Sequence, residues 1–237
     1  MIITTALNYD TFFYNQMLVL LASLETNSPN DIIDVRLVDF PERKVKKLKE
    51  EFPKYYFSNV NLQVNKMDNL AGFMVCYRSA VIYDALTTHR TPVAWMDCDI
   101  IVRKELNPLW QNIESNQFKI IYRGNDVPIK NRFQAGIFVI GFSNSTRNMI
   151  ADWKDRCIKS NKWFADQKLL YNVYEKYVNK IEFIHMDRSL NDVGDSTKEC
   201  FLDDSVIWHC KRSHFNNLKF QKEFKYYLNK TTKRLNK

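Results

Sequence analysis

Two carboxylates at the end of a short apolar run, Asp97 and Asp99 in Val93-Ala94-Trp95-Met96-Asp97-Cys98-Asp99, are the residues of this chain best placed to do chemistry. The run is bounded by Pro92 on one side and charge on the other, so it reads as a buried strand of about five residues that delivers both aspartates to its carboxyl end. Residues two apart on an extended chain project to the same side. Paired carboxylates repel unless a cation lies between them, and oxygen ligands favour a hard divalent ion, Mn²⁺ or Mg²⁺. Such an ion would in turn take a phosphate. Asp-x-Asp also occurs on surface loops; the strand before it favours a site, because ligands of open α/β sheets collect at the carboxyl ends of strands.

The elements that must hold this pair alternate from the first residues. Ile2 to Ala6 is a short strand, and Asp10 can cap a helix whose apolar positions Phe13, Met17, Leu20, Leu21 and Leu24 recur at helical spacing. Ile33 to Phe40 reads as the second strand, and Pro41 opens a charged helix through Glu51, where proline's missing N–H is harmless. A third strand is expected at Asn61-Leu62-Gln63-Val64, then a helix from Phe73 to Leu86, then the strand ending at Asp97. Further on, Phe118 to Arg123 and Ala135 to Phe142 read as strands, Thr146 to Lys159 as a helix, and Lys180 to His185 and Ser205 to His209 as strands. Alternation of this kind implies an α/β chain with a parallel sheet and helices on both faces, becoming mixed in the second half. From Asn216 onward, Phe220, Phe224, Leu228 and Leu235 fall near one face of a helix, with Lys219, Lys222, Lys225, Lys230, Lys233 and Arg234 around the rest. That is a packed apolar stripe under a solvated basic face. The expected division is one domain over 1–215 and a basic amphipathic helix over 216–237, packed on it or extending from it.

Composition sets the outer limits. A chain of 237 residues can bury a full-sized core, and 45% hydrophobic with 26% charged residues, five Gly and six Pro exclude a disordered or low-complexity chain. Five Cys at irregular spacing, with no Cys-x-x-Cys, point to neither a disulfide framework nor a zinc ribbon, so a reducing compartment follows. Asn8 and Asp10 come too early for a signal peptide, and the longest apolar run, Met17 to Ala22, falls short of the ~18 residues a transmembrane segment needs. The expected location is cytoplasmic. A formal charge of +8 attracts something anionic: substrate phosphates, nucleic acid or a membrane surface.

Other short segments stand in order around the aspartates. They are Thr5-Ala6-Leu7-Asn8-Tyr9, Arg78 in Cys76-Tyr77-Arg78-Ser79-Ala80, Phe133-Gln134-Ala135-Gly136-Ile137-Phe138-Val139, Asp166-Gln167 before Lys168-Leu169-Leu170-Tyr171, and Val206-Ile207-Trp208-His209-Cys210-Lys211. Singly, each has an ordinary reading. A helical Arg usually lies on the surface, Ala-Gly eases strand packing, an Asp at a helix start caps it, and a His beside Trp is usually a packed core residue. In combination and in this order, they resemble the glycosyltransferases of the nucleotide-diphospho-sugar transferase (GT-A) fold with an Asp-x-Asp motif. The similarity is to their glycogenin-like and galactosyltransferase-like branch, over roughly residues 1 to 215.

The resemblance implies a Rossmann-like, mixed but mainly parallel sheet flanked by helices, and a role for each segment. Thr5, Ala6, Asn8 and Tyr9 would hold the donor nucleotide, together with Arg78 and Asp97. Gln134, Ala135 and Gly136 would line the donor sugar, with Gln134 where the branch has Asn. Asp166 and Gln167 would be catalytic, and His209 would complete an Mn²⁺ (or Mg²⁺) site with Asp97 and Asp99. Lys211 or Arg212 would approach the diphosphate, although Lys211-Arg212-Ser213-His214-Phe215 lacks the Gly and Lys-Pro-Trp with which the branch continues. The implied activity is hexosyl transfer from a nucleotide-diphospho-sugar, a UDP-sugar first, with retention, to a glycan, a protein or DNA.

Two other classes compete. Asp97-Cys98-Asp99-Ile100-Ile101 also resembles the nucleophile motif of haloacid-dehalogenase-type phosphatases, with Asp203-Asp204 as the late acidic pair. Against it, the motif follows three earlier strands, Ile101 is neither Thr nor Val, and Asp203-Asp204 precede an apolar run where they should follow one. A basic nucleic-acid-binding protein rests on charge and the tail alone, and has no use for Asp97 and Asp99.

Overall fold

The computed structural model describes residues 1–64, 67–160, 162, 165–193, 201–210 and 217–235. Strand β1 (Ile2–Asn8), helix α1 (Thr11–Asn27), β2 (Ile33–Val38), α2 (Glu42–Glu51), β3 (Tyr56–Val60), α3 (Leu70–His89) and β4 (Val93–Met96) form the first half. The second half contains β5 (Ile100–Val102), α4 (Asn107–Trp110), β6 (Gln117–Tyr122), α5 (Ile129–Arg132), β7 (Phe133–Ile140), α6 (Asn144–Ile158), α7 (Ala165–Tyr177), β8 (Glu182–His185), β9 (Ile207–His209) and α8 (Leu218–Leu235). The main sheet has seven strands in the order β3-β2-β1-β4-β7-β6-β8. All run the same way except β7, which is antiparallel to both β4 and β6. The sheet is mixed and mainly parallel.

Strand β4 shows why its sequence is a continuous apolar run: it is buried on both faces. Ala94 and Met96 join the core beneath α1 and α2, while Val93 and Trp95 join the core beneath α3, α6 and α7. This phase carries beyond the strand, so Asp97 emerges on the Trp95 side, facing α3. Helix α1 begins as its sequence implies, with Asp10 accepting from the backbone N–H groups of Phe12 and Phe13. Met17, Leu20, Leu21 and Leu24 are buried, but Phe13 is exposed and does not share their face.

The third strand departs from expectation. It is Tyr56–Val60 that pairs with β2, and Asn61 to Val64 forms a loop. Asp39, held at a positive φ of 54°, is the cause. Its carboxylate accepts from the backbone N–H groups of Leu62, Gln63 and Val64 at 2.7, 3.0 and 2.6 Å, taking the donors a strand would offer its neighbour.

Outside the main sheet, β5 and β9 form an antiparallel pair that aligns Ile100 with His209 and Val102 with Ile207. The expected strand from Ser205 to His209 is therefore shorter and lies off the main sheet. Helix α8 packs against α1 through Phe220 and Tyr227, and Asn27 donates to the Tyr227 hydroxyl at 2.7 Å. Phe201 stacks between Trp208 and Phe220, with ring centroids 5.0 and 5.6 Å away. Lys219, Lys222, Lys225, Lys230 and Lys233 face outward as expected, whereas Arg234 turns inward to Glu25 and Glu51. Among the described residues, no helix is long and apolar enough to cross a membrane.

Phe220 is 1% exposed, so Phe220→Ala should lower unfolding free energy by about 3–5 kcal/mol in urea titrations. Tyr226→Ala, at a position 58% exposed on the same helix, should change it by no more than about 0.5 kcal/mol. Equal midpoints for the two would show that α8 lies outside the cooperative core.

Candidate active site

The end of β4 is tied down before it reaches solvent. The Asp97 backbone N–H donates to the Gly136 carbonyl at 2.8 Å, and Trp95 Nε1 donates to Asp97 Oδ1 at 2.7 Å. The β5–β9 register then brings in the distant partner. With Ile100 opposite His209, the Cys210 N–H donates to Asp99 O at 2.9 Å and the imidazole swings over the two aspartates. His209 Nε2 lies 3.1 Å from Asp99 Oδ1 and 3.6 Å from Asp97 Oδ2. One ligand atom from each of the three residues lies within 4.8 Å of the others.

Gly136 makes that approach possible. A Cβ built there would sit 2.6 Å from His209 Nδ1, closer still to Cε1, and 3.2 Å from Asp97 Oδ2. The glycine of the Gln134-Ala135-Gly136 segment is therefore a seat for the His209 ring.

The donor set fits a divalent metal. His209 Nδ1 lies 2.9 Å from Oδ1 of the fully buried Asn191. With the Asn191 amide oriented by its network, Nδ1 carries a proton and Nε2 faces the carboxylates. At 3.1 Å from a carboxylate oxygen, Nε2 either carries a second proton or shares a cation with that oxygen. Two carboxylate oxygens and a histidine nitrogen oriented through its other nitrogen are ligands for such an ion. Asn191 is itself fixed by Gln134, whose Nε2 donates to Asn191 O at 3.1 Å, while Asn191 Nδ2 reaches Gln134 O at 3.5 Å.

Behind the triad lies a buried charge network. Arg78, 8% exposed, donates to the Ala135 carbonyl at 2.8 Å and the Val75 carbonyl at 3.0 Å, and its guanidinium stacks over Trp95. It lies 3.3 Å from Asp97 Oδ1 and 3.2 Å from Asp166 Oδ2. Burial alone would push its pKa down; the charges of Asp97 and Asp166 outweigh that and hold it up. Asp166 does not cap a helix: it is the second residue of α7 and only 1% exposed. Its Oδ2 makes no hydrogen bond, because the nearby Arg78 Nε–H is directed at Val75. Burial raises the Asp166 pKa, and the opposing pull of Arg78 and the Gln167 N–H does not cancel it.

The remaining expected residues divide. Thr5, Ala6, Asn8 and Tyr9 lie along the carboxyl half of β1 and just past it, beside β4 and on the edge where Asp97 emerges. Thr5 Oγ1 is buried without a hydrogen bond, and the Tyr9 ring meets Phe40 edge-on. Gln167 is half-buried next to Asp166. Lys211 and Arg212 lie outside the described residues. The phosphatase arrangement fails: Asp203 is an exposed ion-pair partner of Lys219, and the carbonyls of Asp203 and Asp204 bind Arg103 and Lys104. Asn191 escaped the sequence reading, since nothing in its spacing relates it to His209.

No protein-family model and no curated protein matches this sequence. Solved structures do match. The galactosyltransferase LgtC, solved with donor and acceptor sugar analogs, superposes with a TM-score of 0.62 at 15% identity, covering 95% of this chain and 96% of that one. The glycosyltransferase GlyE of Streptococcus pneumoniae TIGR4, in its apo form, gives 0.65 at 16% identity over 99% of this chain, which spans 64% of GlyE. Mouse xyloside xylosyltransferase 1 gives 0.59 at 11% identity, covering 90% and 98% of the two chains. The chain has the GT-A glycosyltransferase fold, as its motifs implied.

Gly136→Ala should displace the imidazole and cost about 1–3 kcal/mol in stability. The ring signals of His209 should shift by NMR while those of His185 stay put; unmoved His209 signals would contradict the close packing. For Asp166 the sign follows from its raised pKa: the neutral form is favoured by folding, so its contribution is complete below the unfolded value near ~4 and is lost as pH rises. Wild type should therefore lose stability relative to Asp166→Asn as pH climbs from about 4 to 7, read from urea midpoints. A wild-type advantage that grew with pH would contradict this.

Proposed function

We propose that the protein is a metal-dependent glycosyltransferase that moves a hexosyl group from a UDP-sugar to a glycan, protein or DNA acceptor, with retention. The observation that carries this reading is the convergence of Asp97, Asp99 and His209 at the carboxyl edge of a GT-A sheet. A divalent ion held there, Mn²⁺ by preference, would supply a Lewis acid for the charge that gathers on a departing diphosphate.

The chain's own residues prepare that site. Asn191 holds His209 in one tautomer, Gly136 gives the ring its place, and Trp95 and Arg78 hold Asp97 Oδ1, leaving Oδ2 turned toward His209. Preorganised dipoles and charges of this kind need not rearrange during the reaction. Asp166 meets Arg78 rather than open solvent, so it acts through Arg78, which it anchors behind the sugar side. LgtC has also been solved as an active-site glutamine-to-glutamate mutant, and Gln167, beside Asp166, is the glutamine this chain offers for such a place. Thr5, Ala6, Asn8 and Tyr9 are the nucleotide-side candidates, and Lys211 and Arg212 those for the diphosphate.

UDP with Mn²⁺ should raise the melting temperature, by the equivalent of about 2.7 kcal/mol at one hundred times Kd. Asp99→Ala should abolish the shift. Absence of a shift with every nucleotide diphosphate tested would sink this reading, and donor hydrolysis across a panel of nucleotide sugars would identify the sugar.

A further inference from the structure

Past the triad, the carboxyl edge of the sheet becomes cationic. Arg123, immediately after β6, donates from Nη2 to Gln134 Oε1 at 3.0 Å and from its backbone N–H to Arg132 O at 2.8 Å. Gln134 is two residues before Gly136, across the irregularity in the β6–β7 register. Since Gly136 abuts both His209 and Asp97, the anchor of Arg123 lies at most about 7 Å of backbone from a residue that touches the triad. Gln134 and Asn191 connect the two by hydrogen bonds, through to His209 Nδ1.

This cluster is not neutralised. Arg36, Arg78, Arg103 and Arg234 each form an ion pair with a carboxylate. Arg123 and Arg132 form none among the described residues. Arg132 spends its donors on the Tyr171 hydroxyl and the carbonyls of Val127 and Asn125, and its guanidinium lies over the Tyr171 ring. Tyr122 stacks parallel to Tyr171 beside it. Desolvation alone lowers the Arg123 pKa, which marks a cation crowded by protein with no anion to offset it. Its side chain nonetheless remains open to solvent. Asp187 is engaged with Ser189 and His185, Asp192 with Arg188 and Ser205, and Glu175 with Tyr171, while the exposed Asp126, three residues on, forms no ion pair with Arg123 among the described residues.

We propose that Arg123, backed by Arg132, receives an anionic substituent, a carboxylate or phosphate, carried by the acceptor that enters beside the metal-binding triad. The strand order β1-β4-β7-β6 favours the acceptor over the donor. The nucleotide-side residues lie on β1, the triad at the end of β4, and Arg123 on the opposite flank after β6. The assignment to an acceptor rests on the glycosyltransferase reading; the anion site does not.

Glucose 6-phosphate and glucose are suitable probes, observed through the arginine Nε–H signals of ¹⁵N-labelled, metal-free protein. Glucose 6-phosphate, and not glucose, should move the Arg123 signal. Arg123→Gln should weaken its binding about tenfold or more, as loss of a charge-assisted hydrogen bond does, and Arg123→Lys should weaken it less. Equal responses to the two sugars, or affinity unchanged in Arg123→Gln, would overturn the proposal. With Mg²⁺ present, the response should persist when UDP-glucose is bound. Displacement by UDP-glucuronate and not by UDP-glucose would assign the anion to the donor and overturn the acceptor assignment. Neither probe needs metal or nucleotide, so a failed UDP shift and a failed anion site are separate results.

Discussion

The arrangement at the end of β4 depends on one electrostatic imbalance. Three carboxylates, Asp97, Asp99 and Asp166, gather around a single buried guanidinium, that of Arg78. Arg78 touches Asp97 and Asp166 but not Asp99, and its Nε and Nη1 donate to the main-chain carbonyls of Val75 and Ala135. A buried charge is tolerated when it is paired, and leaving one unpaired is strongly destabilising. At Asp166 burial answers by raising the pKa of the carboxyl group. Asp97 and Asp99, about a quarter exposed, keep access to solvent and to whatever cation solvent brings. The imbalance is thus divided: the buried part is settled within the protein, and the exposed part is left for an ion.

Holding that imbalance requires long-range pairing more than local propensity. β5 and β9 are three residues each, too short to specify themselves, yet their register sets His209 over Asp99. The pair is braced by the aromatic stack Trp208-Phe201-Phe220, and through Phe220 by α8 and α1. The C-terminal helix, remote from the aspartates, therefore belongs to the scaffold that places His209 over Asp99. This also accounts for its apolar stripe, which is covered by α1 and leaves a row of lysines outside.

What was legible in the sequence was local. The run before Asp97 is continuous because β4 is buried on both faces, and Asp10, Pro41 and the periodic leucines of α1 mark helices that form where their spacing implies. The misplaced third strand has a local appearance and a distant cause, since Asp39 captures the N–H groups of residues 62 to 64 from 23 to 25 positions away. Asn191 and Arg123 were invisible for the same reason. Their significance lies in Gln134, and Gln134 was read as a sugar contact because its segment resembled one.

That segment now carries two meanings that physical measurement can separate. In the folded protein the Gln134 amide is engaged at both ends, by Arg123 and by Asn191, and Gly136 is filled by an imidazole. Each end of that amide keeps one further donor or acceptor position for a sugar, while loss of the Asn191 contact would free His209 to rotate. Loss of activity on substituting Gln134 or Gly136 would therefore follow from a displaced metal ligand as readily as from a lost sugar contact. The two differ in what fails first: a displaced ligand weakens the metal in the absence of any sugar, whereas a lost contact leaves the metal bound and weakens the donor alone. One hydrogen-bonded chain joins Arg123 to His209, so the imidazole and the basic flank of the site are positioned through the same two amides.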